Sequence, residues 1–158
     1  MKPHPLSLGL VLLAAPLLAW SQCNELNQLG LHADSLFNDI KGAETDEDIY
    51  ETTFLLPGAD AENCYVTQFE EGGEIESAYY QCSWYKSSED RARQELADLI
   101  ALVQRCAGRA PAWTSKNNRQ QVYKARFDMP SAHRKAQLYI QRSPPDGKTV
   151  ELQWKVSK

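Results

Sequence analysis

The stretch Glu76–Gly108, ESAYYQCSWYKSSEDRARQELADLIALVQRCAG, decides the fold. In its opening part Ala78, Tyr80, Cys82 and Trp84 alternate with Tyr79, Gln81, Ser83 and Tyr85, so one face of a strand is apolar and the other polar and aromatic. The period then changes. Ser87 or Ser88 can cap a helix, and Glu89 and Asp90 fall in its first turn, where the helix dipole favours negative charge. Ala92, Leu96, Leu99, Val103 and Cys106 recur at three- and four-residue spacing, Ile100 widens the stripe, and Gly108 ends it. A half-apolar strand that runs straight into an amphipathic helix reads as a sheet with a helix laid on one face.

Upstream, residues 23–41 predict a first helix. Cys23, Leu26, Leu29, Ala33, Leu36, Phe37 and Ile40 share a face, Lys41 sits in the last turn and Gly42 follows. Residues 43–48 are mostly acidic and read as a loop. Two strands are expected over Ile49–Leu55, stopped by Pro57-Gly58, and over Asn63–Phe69. The second pairs with Glu76–Tyr85 across the Gly72-Gly73 turn. Downstream, Trp113 falls in a loop around Pro111. Period-two alternation then returns over Val122–Met129, Lys135–Arg142 and Thr149–Val156, the last two joined by the Pro144-Pro145-Asp146-Gly147 turn. The expected fold class is α+β, two helices packed on an antiparallel sheet in the order α-β-β-β-α-β-β-β.

That order resembles the type III secretion chaperone-like fold, over most of the chain after residue 21. The resemblance implies a small α+β domain. The secretion chaperones are cytoplasmic, so their partners do not carry over to an exported chain.

Residues 1–21 read as a secretory signal peptide. Lys2 gives the charged start, Leu6–Ala19 the apolar run, and Ala19-Trp20-Ser21 the small residues before a cleavage site. The apolar run is too short for a transmembrane anchor and Pro16 interrupts it, so no integral span is expected once the leader is removed. Lipidation at Cys23 is the competing reading; it is disfavoured by Gln22 and Trp20, where small and branched residues would be expected. Residues 22–158 then form one domain, periplasmic or secreted. No nucleic-acid partner is expected in that compartment.

This segment holds four cysteines, Cys23, Cys64, Cys82 and Cys106, an even number that predicts two disulfides among three connectivities. No Cys-x-x-Cys occurs, which argues against zinc and against thioredoxin-like chemistry. Cys64 and Cys82 lie symmetrically about the Gly72-Gly73 turn, so a regular hairpin puts them opposite each other, within reach of a bridge. Cys106 lies roughly 25 Å along the following helix from its start, far from Cys82. The expected pairs are therefore Cys64–Cys82 and Cys23–Cys106.

Charge divides the domain. Residues 22–90 carry 16 acids and 2 bases, a net of −14; residues 91–158 carry 5 acids and 14 bases, a net of +9. Such a division predicts either internal complementarity or an acidic surface for a basic partner. Asp46, Asp48 and Glu51 crowd with Glu44 and Glu47, without the glycine and terminal Glu of a calcium loop. Ser131, His133 and Asp128 are near one another in sequence, but on a turn with no glycine elbow. There is no phosphate-cradling glycine loop and no dinucleotide fingerprint, so no cofactor is expected. Tyr79, Tyr85 and Tyr139 fall opposite the apolar strand faces and can anchor a partner. The expected function is non-catalytic binding of a protein or peptide of basic character, as an adaptor, inhibitor, immunity-type or chaperone-like module, with Tyr79, Tyr85, Asp46, Asp48 and Glu51 as contacts. A hydrolase using a carboxylate pair and a small-ligand or lipid carrier are the alternatives.

Overall fold

A computed structural model describes residues 15–117, 119, 121–131, 135–143 and 147–158; for 15–22 and for Ser143 the backbone alone is described. The elements are α1 (Ala15–Asp34), β1 (Lys41–Asp46), β2 (Ile49–Thr52), β3 (Cys64–Glu71), β4 (Glu74–Tyr85), α2 (Glu89–Ala107), β5 (Trp113–Lys116), β6 (Val122–Met129), β7 (Lys135–Ser143) and β8 (Thr149–Ser157). All eight strands join one antiparallel sheet in the order β1-β2-β3-β4-β8-β7-β6-β5. Each helix thus introduces a four-strand meander, and the two meanders meet back to back at β4 and β8. The expected fold class stands, with one short outer strand added to each half.

Both added strands are edge strands. β1 lies where the acidic residues predict a loop. It pairs with β2 through Lys41↔Thr52, Glu44↔Tyr50 and Asp46↔Ile49, with a register irregularity between each successive pair. Its Ala43–Asp46 segment is exposed, so no side-chain alternation marks it. Charge and irregularity are common protections of an edge against pairing with another chain. β5 takes Trp113 out of the expected loop and pairs it with Arg126.

The first helix also differs from its expected span. It begins before residue 23 and runs unbroken through the expected cleavage point; residues 1–14 of the leader lie outside the described residues. It ends at Asp34, where Leu36 and Phe37 adopt left-handed backbone (φ 57° and 61°). Ser35 Oγ donates to His32 O (2.9 Å) and to Asp39 Oδ1 (2.6 Å), bonds that compete with continuing the helix. Leu36, Phe37 and Ile40 remain buried from this turn, which is why they continue the helical pattern without being helical. Buried Gln68 on β3 holds the turn in place. Its Nε2 donates to Leu36 O (2.8 Å) and Asn38 Oδ1 (2.9 Å), and its Oε1 accepts from Lys41 Nζ (2.8 Å).

The second helix follows the sequence closely. Ser88 Oγ accepts from Arg91 N (3.3 Å), and Gly108 closes the helix with φ 64°. Ala92, Leu96 and Val103 are buried against the sheet. The core forms between the helices and one sheet face, with Tyr80, Cys82, Phe127, Leu138, Ile140, Leu152 and Trp154 almost wholly inaccessible. Gly30 lets α1 approach closely, since a Cβ there would lie 3.3 Å from the Trp154 ring. Burial drives the Tyr80 phenol far above its ordinary titration range, so it stays a neutral donor, bonded to Phe54 O (3.1 Å).

Both disulfides pair as expected. Cys64 and Cys82 are register partners on β3 and β4, with Cα atoms 4.1 Å apart. Cys23 and Cys106 tie α1 to the end of α2 at a Cα separation of 5.3 Å. The Cys23 sulfur is occupied by this bond, so in this state it carries no lipid thioether. No described helix is long and apolar enough to cross a membrane.

Loop length sets the expected contribution of each bridge. Replacing Cys23 and Cys106 by Ala, which opens a separation of 83 residues, lowers the unfolding free energy by about 4–5 kcal/mol; the same change at Cys64 and Cys82, separated by 18, lowers it by about 3 kcal/mol. Non-reducing urea denaturation measures both. A second prediction concerns acid. Arg142 is a buried cation on β7 that donates to Glu89 Oε1 (2.8 Å) on α2. The hydrogen bond and charge of Arg142 hold the Glu89 carboxyl below its ordinary value of 4.5. A carboxyl lowered by folding stabilises fully above its unfolded value, and that contribution is lost as pH falls through the folded value. Glu89→Gln therefore flattens the decline in stability below about pH 4.5, measured by melting across an acid series.

Candidate functional site

Strand alternation creates a second sheet face, turned away from both helices. β8 shows how it arises. Val150, Leu152, Trp154 and Val156 are buried under the helices, while Thr149, Glu151, Gln153 and Lys155 point the other way and are only partly covered. β3, β4 and β7 follow the same rule, so Tyr65, Thr67, Tyr79, Gln81, Gln137, Tyr139 and Gln141 share this open face.

Register lines these side chains into rows across the sheet. One row runs Glu51, Tyr65, Gln81, Gln153, Tyr139, Arg126, Trp113, crossing seven strands. The adjacent row runs Ile49, Thr67, Tyr79, Lys155, Gln137, Asp128. Gln153 Nε2 donates to Gln81 Oε1 (3.1 Å), Tyr139 OH to Gln137 Oε1 (2.9 Å) and Gln141 Nε2 to Glu151 Oε2 (2.7 Å). Lys124 Nζ lies 5.1 Å from the Tyr139 ring centre, and Lys155 Nζ lies 5.1 Å from that of Tyr79. Phe69 meets Tyr79 edge to face at 5.5 Å. Burial first, and then the charge of Glu151, push the Tyr65 phenol above its ordinary value, so it remains a neutral hydrogen-bonding group. The face is therefore held in shape by its own contacts before any partner arrives.

Toward the margins the face is more apolar. Phe69, Tyr85 and Trp113 are 46%, 67% and 46% exposed, and each points outward from a different part of the sheet. The two halves also differ in charge. The β6–β7–β8 half carries Lys124, Arg126 and Lys155 among its outward residues, with Asp128 beside Arg126 (3.6 Å) and Glu151 on β8. The β1–β4 half carries Glu51 and is bordered by the β1–β2 and β3–β4 hairpins, which lie at the same end of the sheet. Glu44 and Asp48 from the first hairpin and Glu70 from the second all act on the Tyr50 phenol, which burial, and after it these three charges, hold above its ordinary value.

The structure separates the contacts expected from the sequence. Tyr79 and Glu51 lie within the open face, in adjacent rows. Tyr85 shares the face but lies at the far end of β4. Asp46 and Asp48 sit at the β1–β2 tip, where Asp46 Oδ1 accepts from Glu47 N (2.8 Å) and Asp48 O from Gln68 N (3.1 Å). They form a rim and are not gathered with the tyrosines. Tyr65, Lys124, Arg126, Lys155 and Trp113 were not expected at the site. Alternation about buried Cys64 and Val66 already turns Tyr65 outward, but only the pairing register brings it into line with Tyr139 and Trp113.

Ser131 Oγ donates to Asp34 Oδ1 (2.9 Å), and His133 lies outside the described residues. Among the described residues no three His, Cys, Asp or Glu side chains group as metal ligands, and no cysteine is free. Compared with protein-family models, curated proteins and solved structures, the chain matches none.

Exposure on this face gives a direct expectation. Tyr85→Ala changes stability by no more than about 0.5 kcal/mol, because its side chain projects into water, whereas Trp113→Ala, with over half of the residue covered, costs about 1 kcal/mol. Tyr79→Ala costs more, about 1–2 kcal/mol, since it removes the Phe69 and Lys155 contacts together. Chemical denaturation of the three variants measures the difference.

Proposed function

We propose that this chain is an exported, non-catalytic binding module that docks a folded protein on the open face of its sheet. The observation that carries the reading is the helix-free face itself, whose aromatic, amide and charged side chains stand in rows across seven strands. At about 4.8 Å between strands and 3.4 Å per residue, such a face offers about 1,000 Å². That is close to the roughly 800 Å² that each partner contributes to a standard protein interface, and larger than an extended peptide needs. Tyrosine and tryptophan supply rigid contact area at low entropic cost, and the glutamines supply both donors and acceptors. The mechanism is shape and charge complementarity, with no bond made or broken.

The charge division gives the partner an orientation. A basic patch fits beside Glu51, Asp46 and Asp48, and an acidic one fits over Lys124, Arg126 and Lys155. The two disulfides support an oxidising compartment, periplasmic or extracellular.

Affinity capture from an envelope extract tests the reading when wild type is compared with Tyr139→Ala, Lys155→Glu and a control, Leu31→Ala, whose side chain is 71% exposed on α1. The expected result is one stoichiometric protein held by wild type and by the control. Its affinity falls about tenfold or more in each face variant and declines as salt rises. A partner that leaves with Leu31→Ala and stays with both face variants overturns the assignment.

A further inference from the structure

Apart from the open face, the helix side of the sheet holds a small cavity of about 90 Å³ between α1, α2, β4 and β8. Leu56, Trp84, Leu99 and Leu152 wall it with carbon, and two carboxylates, Glu25 and Glu95, complete it. These two are not equivalent. Glu95 Oε2 is 3.1 Å from Lys86 Nζ. Glu25 Oε2 is shut off from solvent and has no hydrogen-bond partner among the described residues. The Cys23–Cys106 bridge, two residues away, clamps α1 to α2 and keeps the Glu25 backbone at this place.

A carboxylate oxygen held out of water without a donor is costly, and the cost is removed by a group that brings its own protons. The surroundings restrict what that group can be. A hard divalent cation needs six or more oxygen ligands, far more than one unengaged carboxylate supplies. A guanidinium is planar and presents five donors, for which the carbon walls have no acceptors. A primary ammonium on a short saturated stem matches both parts, the charge on Glu25 and the methylenes on the leucines. Size agrees as well. A cavity of about 150 Å³ takes the six carbons of benzene, so one of this volume takes roughly four heavy atoms, the length of a butyl stem. We propose that the cavity between the two helices and the sheet is a binding site for a primary alkylammonium group, with Glu25 as its counter-ion. The group can come from a free aliphatic amine or from the side chain of a lysine.

The test uses the purified, disulfide-intact protein labelled with nitrogen-15. The probes are n-butylammonium, Nα-acetyl-lysine amide and, as a neutral match in size, n-butanol. Saturable shifts are expected at the Trp84 indole N–H and at the Leu26 and Leu56 amides, with n-butylammonium binding in about the millimolar range. Glu25→Gln weakens it about tenfold or more. Should Glu25→Gln fail to fold, Glu25→Asp, which keeps the charge and withdraws it by one methylene, is expected to show a smaller loss. Saturation by n-butylammonium alone assigns the site to free amines, and saturation by the lysine amide as well assigns it to a protein side chain. The proposal is overturned if n-butanol binds as tightly as n-butylammonium, if the Glu25 variants bind like wild type, or if no probe saturates. These outcomes are independent of whether the open face captures a protein.

Discussion

The ladder between β4 and β8 is the interaction on which the rest of the molecule depends. It runs without a register break from Ser77↔Ser157 to Tyr85↔Thr149. On one side it sets Tyr80 beside Trp154 and Cys82 beside Leu152, the centre of the core under the helices. On the other it sets Tyr79 beside Lys155 and Gln81 beside Gln153, the centre of the open face. A slip by one residue would turn every one of these side chains to the wrong side. The disulfides reinforce the same junction. Cys64–Cys82 fastens β3 to β4, and Cys23–Cys106 fastens the helix that opens the first half to the helix that opens the second.

Much of this architecture was legible because the side chains inside it are few in kind and strictly periodic. β4, β6, β7 and β8 show two-residue alternation, and α2 shows a helical stripe with a serine cap and a glycine stop. The cysteine pairing followed from a symmetric turn and a helix of known rise. What escaped reading was structure held by backbone bonds with little burial. β1 is acidic and mostly exposed, and β5 is four residues long, so neither leaves a periodic trace. The end of α1 escaped for the opposite reason. Leu36, Phe37 and Ile40 are buried from a left-handed turn, and burial alone imitates a continuation of the helix.

The candidate site was legible in part, and the division is again physical. Alternation says which way a side chain points, so the outward aromatics of β4 and β7 were within reach. It does not say which strands are neighbours. Tyr65, Tyr139 and Trp113 come from β3, β7 and β5, and only the crossover that places β8 against β4 brings them onto one line. The acidic residues illustrate the converse. Asp46, Asp48 and Glu51 are close in sequence, yet a tight hairpin sends the first two to the rim and the third onto the face.

The palindromic strand order also has a consequence for assembly. The partners in the central ladder lie 64 to 80 positions apart, and β8 follows the seven other strands in sequence. While the chain emerges, the first meander can close on itself through local hairpins, but β4, the longest strand, stays a bare edge until β8 arrives. Through that interval the middle of the future sheet is a template for any passing strand, including another copy of the same chain. The permanent edges are short, charged or irregular; the temporary one has no such protection. The sheet is therefore most open to mispairing before the nine residues of β8 reach its middle.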